Sequence, residues 1–243
     1  MNTLTAPAIA PAGALHRVRR WALSCLLLGP MVAAWAQAAT LPAVVVWDFD
    51  NQTAIAALSA ERLDFLRRSL SENLTSTLLQ VAGLPVVERQ RLKDLLAEQK
   101  LAAGALADED TRLRLGKIVG AQRMVFGGFF VLGDEVQVHV RVVDTATSRV
   151  IFSDETNAPL PSVMQQVAPL NRRLAQALGG AAGASLREHP ATLWQAYDRA
   201  LGLADAGQFD AAVQALQALL EKDKDFTPAE RQLVALLDKM ARR

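Results

Sequence analysis

The chain has 243 residues, 51% hydrophobic and 21% charged, with a formal net charge of +1. That composition is that of a globular chain, not a disordered one, and leaves room for one large or two small domains. Aromatic residues make up only 5%, so aliphatic and alanine packing must carry the core.

The first 39 residues read as an export signal. Arg17, Arg19 and Arg20 form a basic start, Trp21 to Val32 is an apolar run, and Ala34-Trp35-Ala36 and Ala36-Gln37-Ala38 supply small residues for cleavage after Ala36 or Ala38. Cleavage after Ala36 is favoured, because Pro30 then lies a helical turn or two upstream. The run is shorter than the roughly 20 residues a spanning helix needs. Lipid attachment at Cys25 is disfavoured, because only four residues separate it from Arg20 and the apolar run continues past it. Removing the leader takes away three Arg and the single Cys, leaving 23 basic against 25 acidic groups and a net of −2. The exported chain then lacks the basic face that nucleic acid requires, has no disulfide, and keeps no integral membrane segment. Periplasmic location follows, with outer-membrane association only through a partner.

Residues 40–178 predict an α/β domain, a mixed sheet of about five strands packed by helices. Pro42 to Asp50 is an apolar, β-branched run of the kind buried on both faces of a sheet. Ser59 is placed to cap a helix of about twenty residues whose stripe is Leu63, Leu66, Leu70, Leu74 and Leu78. Gly83 is expected to stop that helix and Pro85 to prevent its resumption. The short strand Pro85 to Val87 should then lie parallel to the first, as short strand–helix–strand joins require.

Glu88-Arg89-Gln90-Arg91 opens a helix burying Leu92, Leu95 and Leu96. Asp108 or Asp110 caps the next, which carries Leu113, Leu115, Ile118 and Val119 and ends at Gly120. Met124 to Leu132 is apolar throughout and predicts the centre of the sheet. Gly133-Asp134 has the type II′ hairpin pattern, and Glu135 to Val143 alternates valine with Glu135, Gln137, His139 and Arg141. Asp144 to Thr147 turns the chain into a strand from Arg149 to Ser153, and a helix from about Pro161 to Leu178 closes the domain.

The small-residue stretch within 179–189 predicts a linker, and residues 190–243 predict a separate all-α segment. Its helices should cover Leu193 to Ala206 and Phe209 to Lys222, with a third beginning at Pro228.

No catalytic constellation, cofactor motif or metal-ligand set is present in the pattern. His139 sits on a water-facing strand side and His189 precedes a proline in the linker, so both read as surface histidines. Two scattered histidines without cysteine make no zinc site. Asp108-Glu109-Asp110 reads as helix-capping carboxylates. Gly127-Gly128 lies inside a strand, where glycine marks a bulge or a close approach. Trp47 and Trp194 read as packing residues. The candidate partner contacts are Glu88 and Arg89, for which a solvated helix start is the favoured reading, and Trp194 and Tyr197 on the helical segment.

Residues 42–178 resemble the soluble domain of the CsgG/HfaB family, related in fold to the TolB amino-terminal domain and to the penicillin-binding-protein activator LpoB. The resemblance rests on the strand Val44–Phe49, the block Val87-Glu88-Arg89-Gln90-Arg91-Leu92 with Leu95 and Glu98-Gln99, Leu115-Gly116 with Gly120-Ala121, and Val142-Val143-Asp144 before Ala146-Thr147. It implies a non-enzymatic adaptor or assembly protein binding other envelope proteins, with self-association as a further option. The alternative it implies is a subunit of an outer-membrane secretion channel. The family's pore members carry long amphipathic insertions, whereas the turns at Gly133-Asp134 and Asp144–Thr147 are tight. Residues 190–243 resemble a tetratricopeptide repeat with a capping helix, on Ala200, Gly207, Phe209, Ala212 and Leu216, with Lys224 and Leu219 departing from the pattern. A single repeat must pack on the first domain, on a partner or on a copy of itself.

Overall fold

The apolar run at Pro42 folds as two short strands rather than one. β1 (Val44–Val46) is buried throughout and lies parallel to β4 (Arg123–Leu132), with Val44, Val45 and Val46 opposite Arg123, Met124 and Val125. At Phe49 the backbone turns to the following helix: its N–H donates to the Arg67 carbonyl at 3.1 Å, and its own carbonyl accepts from Arg67 Nε at 3.2 Å. The chain rejoins β4 as β2 (Asp50–Asn51), also parallel. The computed structural model describes residues 41–53, 60–87, 92, 108–180 and 188–242. The residues read as an export signal, Ser59, the helix expected from Glu88 (Leu92 excepted) and residues 181–187 of the expected linker lie outside them.

Helix α1 (Ala60–Leu78) buries all five leucines of its stripe. Burying a leucine is worth about 1.5–3 kcal/mol over leaving it exposed, so this stripe anchors the helix to the sheet. The helix ends at Leu78, before the glycine expected to stop it. Gly83, at φ +77°, instead serves a separate tight turn that leads into β3 (Val86–Val87). β3 is parallel to β1, as the short joins required.

Helix α2 (Glu109–Ile118) starts at Asp108, whose carboxylate accepts from the Thr111 N–H at 3.0 Å. It ends in a Schellman arrangement: Gly120 at φ +75° donates to the Lys117 carbonyl, and Ala121 donates to that of Gly116. β4 then runs through the middle of a six-stranded mixed sheet, with β1 and β2 beside it and, in order beyond it, the strands Glu135–Asp144 (β5) and Val150–Pro159 (β6), giving β3-β1-β4-β5-β6 with β2 also on β4. β5 (Glu135–Asp144) returns antiparallel, and Gly133 alone of the two turn residues has positive φ, as type II′ demands.

β6 (Val150–Pro159) is ten residues long and antiparallel to β5, so it runs well past Ser153, where the sequence placed its end. Its second half, Asp154-Glu155-Thr156-Asn157, is polar enough to read as loop, yet an edge strand needs only one partner and one buried face. The helix expected from Pro161 to Leu178 is broken. A short 3₁₀ turn leads into α3 (Val163–Gln166), and α4 (Ala168–Ala177) follows after Val167. Pro169 has no N–H to offer the preceding turn, which ends α3 there.

Helices α5 (Ala191–Asp205), α6 (Phe209–Lys222) and α7 (Thr227–Ala241) match the expected positions within a few residues, with Gly207 at φ +76° between the first two. They pack on their own chain. Arg68 of α1 reaches Asp198 at 2.6 Å and Asp205 at 3.2 Å, and Arg231 of α7 reaches Ser76 at 3.0 Å and Glu72 at 3.8 Å. One apolar core runs from Val44 and Phe49 through the leucines of α1 to Trp194, Leu216 and Phe226. A second, smaller core on the opposite face of the sheet joins Val45, Trp47, Leu92, Leu115, Met124, Phe126 and Val143. Residues Thr40–Arg243 thus form one compact unit.

Candidate interaction surface

Among the described residues, α2 and Leu92 pack on the face of the sheet that carries the smaller core. There α2 comes close enough that a Cβ on Gly116 would meet Met124 Sδ at 2.3 Å. Beside this contact the packing turns polar. Arg112, itself buried, grips Asp50 with both terminal nitrogens, Nη1 and Nη2 each 3.1 Å from Oδ2. Its guanidinium stands 5.1 Å from the Phe126 ring centre, and that of Arg141 stands 5.4 Å from the same ring. Arg141 in turn donates to Glu109 at 2.5 Å. Two cations therefore share one aromatic ring, each neutralised by a carboxylate from a different element.

Further along β4 the side chains on this face become polar or exposed. His139 lies over Gly128, in the space where a side chain at that position would stand, with Gln52 Nε2 3.5 Å from His139 Nε2. Partial burial, followed by the nearby Arg141 charge, lowers the His139 pKa below its usual value. Beyond it Phe130 is 36% exposed and Leu132 is 77% exposed, opposite Gln137 and Glu135 on β5. Glu155 and Asn157 of β6 border them and are also exposed. The result is an apolar tip at the β4–β5 hairpin set among two amides, Gln137 and Asn157, and two carboxylates, Glu135 and Glu155, a mix of apolar centre and polar rim found at protein contact surfaces. Among the described residues no three His, Cys, Asp or Glu side chains converge as metal ligands.

Of the residues singled out in sequence, Glu88 and Arg89 lie outside the described residues. Trp194 and Tyr197 are interior, 1% and 2% exposed, in an edge-to-face cluster with Phe226 at ring separations of 4.9 and 5.5 Å. Trp194 packs in the large apolar core, and its indole N–H has no acceptor among the described residues, so ring and aliphatic contacts hold it. His189 corrects its reading as a surface residue. It is buried, its ring 4.9 Å from Phe226, and Nδ1 lies 2.8 Å from Asp223 Oδ2. The reason is local: Pro190 starts α5, and the residue before it is carried over the α6–α7 junction.

The Arg112–Phe126–Arg141 cluster went unseen in the sequence, although one signal was present. Arg112 stands three residues before Leu115, on the buried stripe of α2, where a charge requires a partner. Gly127-Gly128 is a close-packing point on both faces, with Phe49 against one residue and His139 against the other.

The family model described as curli production assembly/transport component CsgG matches residues 31–133, ending at the β4–β5 turn. No curated protein matches the sequence. Among solved structures, the chain is similar to the LpoB C-terminal domain from Salmonella enterica at 16% identity, covering 49% of this chain and 84% of that one, with a TM-score of 0.37. It is similar to lipoprotein GNA1162 from Neisseria meningitidis at 13% identity, covering 57% and 94%, with a TM-score of 0.41. It is similar to the PelC dodecamer from Paraburkholderia phytofirmans at 14% identity, covering 50% and 74%, with a TM-score of 0.30. No helix among the described residues is long and apolar enough to cross a membrane. The family match thus covers the stretch from before β1 to the β4–β5 turn, and over residues 31–133 the chain is similar to the CsgG family.

Proposed function

We propose that this protein is an exported, non-enzymatic adaptor of the cell envelope that binds another envelope protein through the open end of its sheet. The observation that carries the reading is the exposed apolar tip of Phe130 and Leu132, on the same sheet face as the smaller core, in a chain that matches the CsgG family model. Residues 1–39 act as the cleaved signal and deliver the chain to the periplasm. The 190–243 helices serve as a tetratricopeptide-like brace on α1, with Ala200, Ala212 and Leu216 at their packed contacts. Glu88 and Arg89 stand as a second contact pair, whereas a partner reaches Trp194 or Tyr197 only by opening the helical segment.

A photo-crosslinking residue placed at Leu132 tests this in intact cells. A discrete adduct with one envelope protein, lost on adding Phe130→Ser, is expected. Self-adducts alone, or none, would remove the adaptor reading. Leu132 is exposed enough that its replacement should alter stability by no more than about 0.5 kcal/mol.

A channel subunit is the competing reading, favoured by the family's description as a transport component. Osmotic shock separates the two. An adaptor leaves with the periplasmic contents or is released by high salt, and a channel subunit stays in the membrane pellet.

A further inference from the structure

Among the described strands, β6 ends the sheet, and a ten-residue edge strand is a ready template for another chain. The pairing pattern shows which of its backbone groups face outward. Leu160 N–H donates to the Asp134 carbonyl and Asp144 N–H donates to that of Arg149, so the even-numbered residues of β5 turn their backbone toward β6. Val136, Val138 and Val140 stand opposite Ala158, Thr156 and Asp154. The residues between them, Ser153, Glu155, Asn157 and Pro159, therefore point their backbone groups away from the sheet.

This edge is not open along its length. Pro159 has no N–H to give. A register shift between Val142 and Val143 disrupts the ladder at the other end, beside Val150. In the middle, the outward N–H of Glu155 donates to Asp154 Oδ1 at 2.9 Å, while Asp154 Oδ2 accepts from Arg173 Nε of α4 at 2.5 Å. One carboxylate is thus fixed by a helix behind the strand and laid across the central outward donor.

We infer that Asp154 is a guard that closes the β6 edge to strand addition, held in place by Arg173. An incoming strand must supply a carbonyl to the Glu155 N–H. Asp154 Oδ1 already occupies that site, and its negative charge repels the newcomer's oxygen. The Arg173 hydrogen bond lowers the Asp154 pKa, so the guard stays ionised at neutral pH. This inference does not depend on the sheet-face reading, because β6 offers its edge and not its face.

The test uses the full exported chain. Asp154→Ala is expected to raise the light-scattering mass with concentration above that of the parent and to speed amide exchange at Glu155 about tenfold, the loss of one charge-assisted hydrogen bond. The inward amides of Asp154 and Thr156 should keep the parent's exchange rates in the dilute monomer. Asp154→Asn loses the ion pair but retains an acceptor oxygen, and it should keep the parent's mass. If Asp154→Ala does not fold, Asp154→Thr, which favours a strand, carries the same expectation as the alanine variant. A folded variant lacking the carboxylate that keeps the parent's mass, or that associates without faster exchange at Glu155, would overturn the inference.

Discussion

Gly127 and Gly128 are neighbours on β4 that face opposite sides of the sheet, and they meet different kinds of neighbour. A Cβ on Gly127 would lie 2.4 Å from the Phe49 ring, inside the core that runs from the sheet through α1 into the C-terminal helices. A Cβ on Gly128 would lie 2.6 Å from the His139 ring and 3.0 Å from Gln52 Nε2, both ends of side chains with solvent beside them. One side of the sheet is closed by an unbroken apolar layer. The other, among the described residues, carries a smaller apolar cluster and is finished with arginines, carboxylates and amides. The lesson is that the fold is held chiefly from one side, which leaves the other free to vary its surface.

The largest effect should come from the closed side. Leu74→Ala removes a fully buried side chain from α1 and is expected to cost about 2–5 kcal/mol in urea unfolding. Leu115→Ala, in the smaller core under α2, should cost less, because fewer neighbours lose contacts and the edge of the cluster can collapse. Equal losses would erase the asymmetry between the faces. The glycine pair sharpens it next. Gly127→Ala should destabilise by about 1–3 kcal/mol, since Phe49 has no room to retreat, whereas Gly128→Ala should cost under about 1 kcal/mol, since His139 can swing outward.

The same asymmetry explains what could be read beforehand. The five leucines of α1, the alternating valines of β5 and the glycines at 120, 133 and 207 all report to apolar burial or to positive φ, and both leave a periodic or positional mark. Polar organisation leaves no such mark. The end of β6, the Asp50–Arg112 bond and the burial of His189 each depend on a partner distant in sequence, 62 residues away for Arg112 and 34 for His189. Phe49 turned the first strand in the same hidden way, through a backbone bond to α1.

A smaller effect is expected where the helical segment meets α1. Arg68 and Asp198 are 20% and 15% exposed, more shielded than a surface pair, and Asp205 provides a second carboxylate. A double-mutant cycle between Arg68→Ala and Asp198→Ala should give a coupling of about 1 kcal/mol that weakens with salt. A coupling near zero would mean that apolar contacts alone hold the helices to α1.

The smallest effect belongs to His139, on the open side, and its sign is fixed by the direction of its shift. Burial and the Arg141 charge lower its folded pKa below the unfolded value of 6.5, so the folded state prefers the neutral ring. Its contribution is therefore present above pH 6.5 and is lost as the pH falls through the lowered folded pKa. Asp108, Asp144 and Asp154 also have lowered pKa values, each led by hydrogen bonds to the carboxylate, but their contributions are lost only below the ordinary carboxylate value of 3.8. Between pH 7.5 and 5 the difference between the parent and His139→Gln thus isolates this one ring, with His189 common to both. The parent should lose more of its urea midpoint over that interval than the variant does. If the variant loses as much, the ring is not held by the sheet face, and the wet side of the molecule is looser than the Gly128–His139 contact implies.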